Sequence, residues 1–291
     1  MPNSAFVHLH VHSEFSTLDG LSRVADLAKT AVAHGSPAIA LTDHGNMSGI
    51  PSFVRACVAA GVKPIIGCEI YVVPFDMTQK SDPNLSTSPG IKTKDYSHLV
   101  LLAENETGYK NLCKIVSKAH TRGFYRKPRA DYATLAAHKE GIIALSACLG
   151  GEVPQALMHG QDDKPARTKV EQYLDIFGRN NFFLEVQAHR DSFSGEQEAL
   201  VAKRMFEVAD SMKVRTVLTN DSHYTRREDY QTHNVILCIG FGKKLADPDR
   251  PDYGPDFYLK PPEEMVSLFP GRPDLVAATL DIAARCCTIT I

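Results

Sequence analysis

Nine side chains able to bind a metal ion arrive in small packets along this chain: His10 and His12 with Asp19, His44 beside Asp43, Glu69, His98, Cys148, and Asp221 with His223. Each packet falls at the edge of a predicted strand or in the turn beside it. Imidazole, carboxylate and thiolate are the ligand set of Zn²⁺, Mn²⁺ or Fe²⁺, not of an all-oxygen Ca²⁺ cage. Nine ligands are too many for one tetrahedral ion. They suit a cluster of two or three divalent transition-metal ions, an arrangement that cleaves phosphate esters.

The packets differ in strength. In HLHVHS, alternation on a regular strand puts His8, His10 and His12 on one face, and three imidazoles facing one way are hard to justify without an ion. His10 and His12, nearer the strand end, form the stronger pair; His8 lies deeper and is expected to support them from behind. Asp19-Gly20 reads equally well as a simple turn. In TDHGN, one of Asp43 and His44 would ligate and the other orient it, since metal-bound imidazoles usually need a carboxylate or carbonyl partner. Glu69 interrupts the apolar run IIGCEIYVV, where a carboxylate costs several kcal/mol unless a metal or an ion pair compensates it. Cys148 is by type a small buried apolar residue, and only its strand-end position points to ligation. Asp221 and His223 in TNDSHY stand two apart, hence on one face.

Elements that could position these packets alternate along the chain. Strand-like runs at 6–10, 38–43, 63–73, 98–103, 141–148, 181–187 and 214–221 are each followed by an amphipathic or helical stretch. Ser22 reads as an N-cap, and Gly35 and Gly61 as helix stops. Apolar strands joined by helices demand a mostly parallel sheet covered on both faces. Ligands gathered at nearly every strand end fit a barrel better than an open sheet. His98 starts its strand, so the barrel must be distorted or that strand reversed. A Pro/Ser/Thr/Lys-rich stretch at about 74–96 reads as a long surface loop, and 273–287 as a C-terminal helix leading toward a polymerase palm that does not follow within these 291 residues. The whole chain, 1–291, is expected to be a single domain. The seven cysteines are scattered without a CxxC pair, which favours a reducing cytoplasm. No stretch has the length or apolarity of a membrane span. The net charge of −2 gives no general attraction to nucleic acid, though bound cations would make the site locally positive.

The motifs HLHVHSEFSTLDG, LTDHGNMSG, KPIIGCEIY, HLVLLAENETGYKNL and TNDSHY resemble the PHP (polymerase and histidinol phosphatase) superfamily, and more closely its branch at the N-terminus of bacterial replicative DNA polymerases. The resemblance runs from about residue 5 to the end. It implies a distorted (β/α)₇ TIM-like barrel. The implied ligands are His10, His12, Asp19, His44, Glu69, His98, Cys148, Asp221 and His223, with Glu69 bridging two ions and Asp43 behind the ligands. Stand-alone phosphatases of the superfamily often carry Asp at the position of His8 and His at that of Cys148, so both choices lean toward the polymerase branch.

The implied activity is metal-dependent phosphodiester hydrolysis, most concretely 3′→5′ proofreading of DNA, with Asp19, Glu69, Asp221 and His223 closest to the chemistry. The alternatives are a metal-stapled structural module without turnover and a small-molecule phosphatase. Expected partners are DNA at the 3′ end of a primer strand, the rest of the polymerase chain and other replisome subunits. Lys110, Lys114, Lys118 and Arg122 recur every four residues on one helix face, followed by Tyr125, Arg126, Lys127 and Arg129. They read either as a solvated face or as a phosphate track with Tyr125 for stacking, and His189-Arg190 is a further candidate contact.

Overall fold

A computed structural model describes residues 5–81, 96–192 and 194–289. The strand β1 (Ala38–Leu41) pairs in parallel with β2 (Lys63–Val73), and β2 pairs antiparallel with β3 (Ser97–Ala103). Next to β3 lie β6 (Ile142–Leu145), β7 (Phe182–Val186) and β8 (Thr216–Leu218), the last two joined in parallel. Residues 6–12 close the curl without forming a regular strand. On one side the Ala40 and Thr42 amides donate to the His8 and Val11 carbonyls; on the other the Ser222 amide donates to His10 and the His12 amide donates to Ser222. Counting that segment, seven strands form a distorted barrel in which β3 alone runs backwards.

Strand residues divide between two apolar layers. Ile39, Leu41, Ile66, Cys68, Leu99, Leu101, Ala144, Phe182 and Leu184 pack with the surrounding helices α1 (Val24–Ala33), α2 (Ile50–Ala60), α3 (Glu106–Thr121), α5 (Glu152–His159), α6 (Lys164–Phe177) and α7 (Gly195–Met212). Val7, Leu9, Ala38, Ala40, Ile65, Val100, Leu102, Ile143, Leu145 and Phe183 form the other layer, packed against Ala278, Ile282, Ala283 and Cys286 at the chain's end. Those four come from α10 (Pro273–Arg285) and its cap, so the expected C-terminal helix shares the barrel's own apolar layer.

Several local expectations change. Ser22 does not cap α1, whose N-cap residue is Arg23. Gly35 and Gly61 do take the left-handed conformation that ends α1 and α2. The basic stretch after α3 folds as a hairpin of β4 (Phe124–Tyr125) and β5 (Lys127–Asp131), with β5 parallel to the end of β2. Short helices α4 (Tyr132–Ala137) and α9 (Pro262–Leu268) also appear, and α8 (Tyr230–Phe241) follows a 3₁₀ turn. Of the long loop, residues 82–95 lie outside the described residues, and 74–81 are turns and bends. No helix among the described residues is long and apolar enough to cross a membrane.

Arg129, expected on the DNA track, is instead a structural strut. It is 1% exposed and donates to the carbonyls of Met77, Gln79, Lys80 and Gly123, tying the turns after β2 to β5. Truncation strands several acceptors of a guanidinium built into the fold. Arg129→Ala is therefore expected to lower unfolding free energy by about 3 kcal/mol in urea denaturation. A loss below about 1 kcal/mol would show the strut to be dispensable.

Candidate metal centre

The reversed direction of β3 places the start of that strand, with His98, at the end of the sheet where β1, β7 and β8 finish; His98 stands opposite Tyr71 and Glu69 opposite Val100. Turns supply the rest. Among the described residues, three of the five non-glycine residues with positive φ sit at or directly before predicted ligands: Leu18 (64°), Ala147 (65°) and Asp221 (45°). Left-handed backbone at such residues costs on the order of 1–3 kcal/mol each and persists where surroundings over-determine it. Gly150 is required beside His98, since a Cβ there would lie 2.9 Å from Nδ1.

All nine predicted ligands converge. Asp221 Oδ1 lies 3.1 Å from Nε2 of both His10 and His12, and those two nitrogens are 3.2 Å apart. Glu69 reaches four imidazoles: His44 at 2.6 Å, His98 at 3.0 Å, His10 at 3.4 Å and His12 at 3.6 Å. Asp19 Oδ2 approaches His44 at 2.8 Å and His223 at 3.6 Å. Cys148 Sγ stands 3.8 Å from both Glu69 Oε1 and His98 Nδ1. Three mutually close triads result: His10/His12/Asp221, His12/His44/His223 and His44/Glu69/His98. They open into a cleft of about 360 Å³, walled also by Leu149, Tyr253 and Phe257.

The donor atoms fit divalent cations. His44 Nδ1, Glu69 Oε2 and Asp221 Oδ1 are buried yet have no hydrogen-bond partner among the described residues. The 2.6 Å approach of the first two is thus contact without hydrogen-bond geometry, as expected of lone pairs aimed at a shared third partner. Electrostatics agree. Burial opposes charge on Glu69, but His98, His44 and His10 hold its carboxyl well below the usual carboxylate range, and Asp19 and Asp221 are depressed by their own imidazole neighbours. His44 is raised to about 10: burial works against its proton, and Glu69 and Asp19 outweigh it. His12 falls to about 3 through burial and the neighbouring His44 and His223. Burial pushes the Cys148 thiol up, with Asp221 and Glu69 adding to it. The raised His10, His44 and His223 favour protons that offset the carboxylates, and a cation can take over that balance, releasing them.

A supporting layer fixes the ligands. Asp43 accepts from the Ser13 amide and from the hydroxyls of Ser13 and Ser16, and Ser16 Oγ in turn lies 3.0 Å from His12 Nδ1. Glu185, which sequence reading overlooked, accepts from His10 Nδ1 at 2.6 Å and also holds Gln187 and Thr219. Its signal was available: like Glu69, it interrupts an apolar strand, FFLEV. His8 does not support the pair. The irregular course of 6–12 breaks the assumed alternation, and His8 Nε2 goes to the Lys260 carbonyl at 2.8 Å.

The proposed DNA contacts separate. Lys114, Arg122, Arg126 and Lys127 are exposed, and Tyr125 is half-buried with Arg126 5.3 Å from its ring centre. Lys127 Nζ lies 5.1 Å from the Tyr71 ring, which neighbours His44 and His98. Lys110 pairs with Glu106, and Lys118 is bonded to His138. His189 is excluded from substrate contact: it is fully buried, stacked on Phe257 and held between Glu198 and the Asn220 carbonyl. Arg190 is exposed but donates to the Leu268 carbonyl.

A domain model described as the PHP domain matches residues 8–189. The DNA polymerase III subunit alpha of Treponema pallidum is 44% identical over 98% of the chain, and that of Thermus aquaticus 41% over 91%. The chain spans 24% and 21% of the length of those relatives. A crystal structure of a Bifidobacterium adolescentis protein, provisionally described as a metal-dependent phosphoesterase, overlays with a TM-score of 0.47 at 14% identity, covering 77% of this chain and 89% of that one. The chain belongs to the PHP domain family. Relatives similar over nearly the whole of this chain include alpha subunits of DNA polymerase III.

The Glu185–His10 bond gives a test that spares the ligands themselves. Glu185→Gln should weaken Mn²⁺ or Zn²⁺ binding about tenfold or more in isothermal titration, the range seen when a partner behind a metal ligand is altered. Wild-type affinity in this variant would show that Glu185 merely fills the core.

Proposed function

We propose that this centre binds two or three divalent transition-metal ions and hydrolyses phosphodiesters of DNA, as the 3′→5′ proofreading domain of a replicative DNA polymerase III alpha chain acting in the cytoplasm. The observation carrying this reading is the sharing of donors: His12 and His44 each belong to two triads, and Glu69 reaches both. Sites that share donors hold ions a few ångströms apart, which suits phosphoryl chemistry better than a lone structural ion. The parent polymerase activity, DNA-directed DNA synthesis, would belong to the longer chain of which relatives give the pattern.

Bound ions of this kind supply Lewis acidity toward phosphoryl oxygens and toward an attacking water. The residues do the rest. His10, His12, Glu69 and Asp221 would hold one side of the cluster, and Asp19, His44, His98, Cys148 and His223 the side facing the cleft. Glu185 and the Asp43–Ser16 pair keep His10 and His12 turned inward. Leu149, Tyr253 and Phe257 narrow the cleft around a strand end. Lys127, Arg126, Arg122 and Lys114 would hold the phosphates of the approaching strand, with Tyr125 as a stacking surface.

A second reading, a structural staple, has its own support: the cluster joins the irregular closing segment, through His10 and His12, to β2 and to the turn after β8. Metal binding there contributes folding energy whether or not turnover occurs.

Digestion of a 3′-labelled single strand and of a mismatched primer end separates the two. The wild-type protein should shorten both with Mn²⁺ or Zn²⁺, and His223→Ala, at the cleft-facing edge, should abolish cleavage while the barrel stays folded. A folded, metallated wild-type protein that leaves both ends intact would overturn the nuclease reading in favour of the staple.

A further inference from the structure

Tyr253 belongs to the irregular segment between α8 and α9, and its hydroxyl donates to Asp19 Oδ1 at 3.2 Å. The two oxygens of Asp19 are thereby divided: Oδ1 takes the phenol, while Oδ2 faces His44 and His223. The aspartate's backbone is held as well, by His233 Nε2, 2.7 Å from the Asp19 carbonyl. Directly before it, Leu18 has φ of 64°. A short aspartate at the end of a strained turn has several rotamers available; the Tyr253 hydroxyl on Oδ1, with His44 and His223 on Oδ2, selects one, while His233 fixes the backbone beneath it.

The segment that displays Tyr253 is itself fixed. Asp252 accepts from the Tyr230 hydroxyl at 2.6 Å, from the Gly254 amide at 3.0 Å and from Arg250 at 2.9 Å. Tyr224 donates to the Gly254 carbonyl at 2.8 Å. Gly254 has φ of 88°, and a Cβ there would meet the Asp191 carbonyl at 2.8 Å, so the turn accepts only glycine. The Tyr253 ring stands edge-on to His223 at 5.4 Å and packs beside His233 and Phe257. These contacts fix the hydroxyl relative to the cluster.

We infer that Tyr253 is a positioning residue of the metal centre: by occupying Asp19 Oδ1 it restricts this carboxylate to single-oxygen ligation through Oδ2, with His233 anchoring the turn beneath. The inference rests on the reading of the cluster as a metal centre, but not on nuclease activity. It requires no contact between Tyr253 and substrate. Without the phenol, Asp19 Oδ1 loses its partner and only the Oδ2 contacts to His44 and His223 orient the carboxylate, so affinity falls and the coordination of the nearest ion changes.

The test uses the chain as it stands, with Mn²⁺ titrated by calorimetry and Co²⁺ followed by visible absorption. Tyr253→Phe removes one oxygen and keeps the ring that packs on His223. It should weaken one binding event about tenfold and alter the Co²⁺ band, while the melting temperature of the chelated protein stays at the wild-type value. In an Asp19→Ala background the same substitution should add nothing, because its effect passes through Asp19. Binding and spectrum identical to wild type in Tyr253→Phe would overturn the inference and leave the metal centre standing. So would an undiminished effect of Tyr253→Phe without Asp19, which would mean that the ring merely supports the fold. A wild-type protein that binds no ion would overturn the metal reading itself.

Discussion

A carboxylate shut inside a barrel must be compensated, and Glu69 is the group around which this molecule is arranged. It is 1% exposed and lies within 3.6 Å of four imidazoles. An uncompensated carboxylate there would cost several kcal/mol, more than most single contacts return. Protonated imidazoles can offset its charge, but burial works against the protons of His10, His12 and His44 as well. A divalent cation resolves both demands together, neutralising the carboxylates while using the imidazoles in their neutral form. The orphaned atoms of His44, Glu69 and Asp221 are the visible remainder of that demand.

Bringing nine donors to one place dictates much of the departure from an ideal barrel. The reversal of β3 delivers His98 from a strand start. Residues 6–12 give up a regular ladder, so that His10 and His12 turn inward together while His8 leaves for the Lys260 carbonyl. Left-handed backbone at Leu18, Ala147 and Asp221 aims the turns carrying Asp19, Cys148 and Asp221 itself. Three left-handed residues thus sit at the mouth, whereas the apolar layers behind it, including the α10 packing, are built from the strands' alternate faces.

The parts legible in sequence were those with a strong local signal. Apolar runs placed six of the strands within a few residues, glycine stops marked the ends of α1 and α2, and residue type at strand ends named the ligands that converge. What sequence concealed depends on partners distant along the chain. Arg129 looks like its exposed basic neighbours until its four carbonyl acceptors are in place, and His189 looks available until Glu198 and Phe257 enclose it. Tyr253 lies 234 residues from the aspartate it touches, and no local pattern marks it. Glu185 could have been found, because a lone carboxylate in an apolar strand carries the same signal that singled out Glu69.

The central claim is that these donors form a multinuclear metal centre, and metal content tests it most directly. Elemental analysis of protein purified without chelator should find two or three transition-metal ions per chain, falling by more than one in Glu69→Ala because that carboxylate reaches donors of every triad. One ion or none per wild-type chain, or a single ion lost on removing Glu69 with the rest retained, would contradict the account.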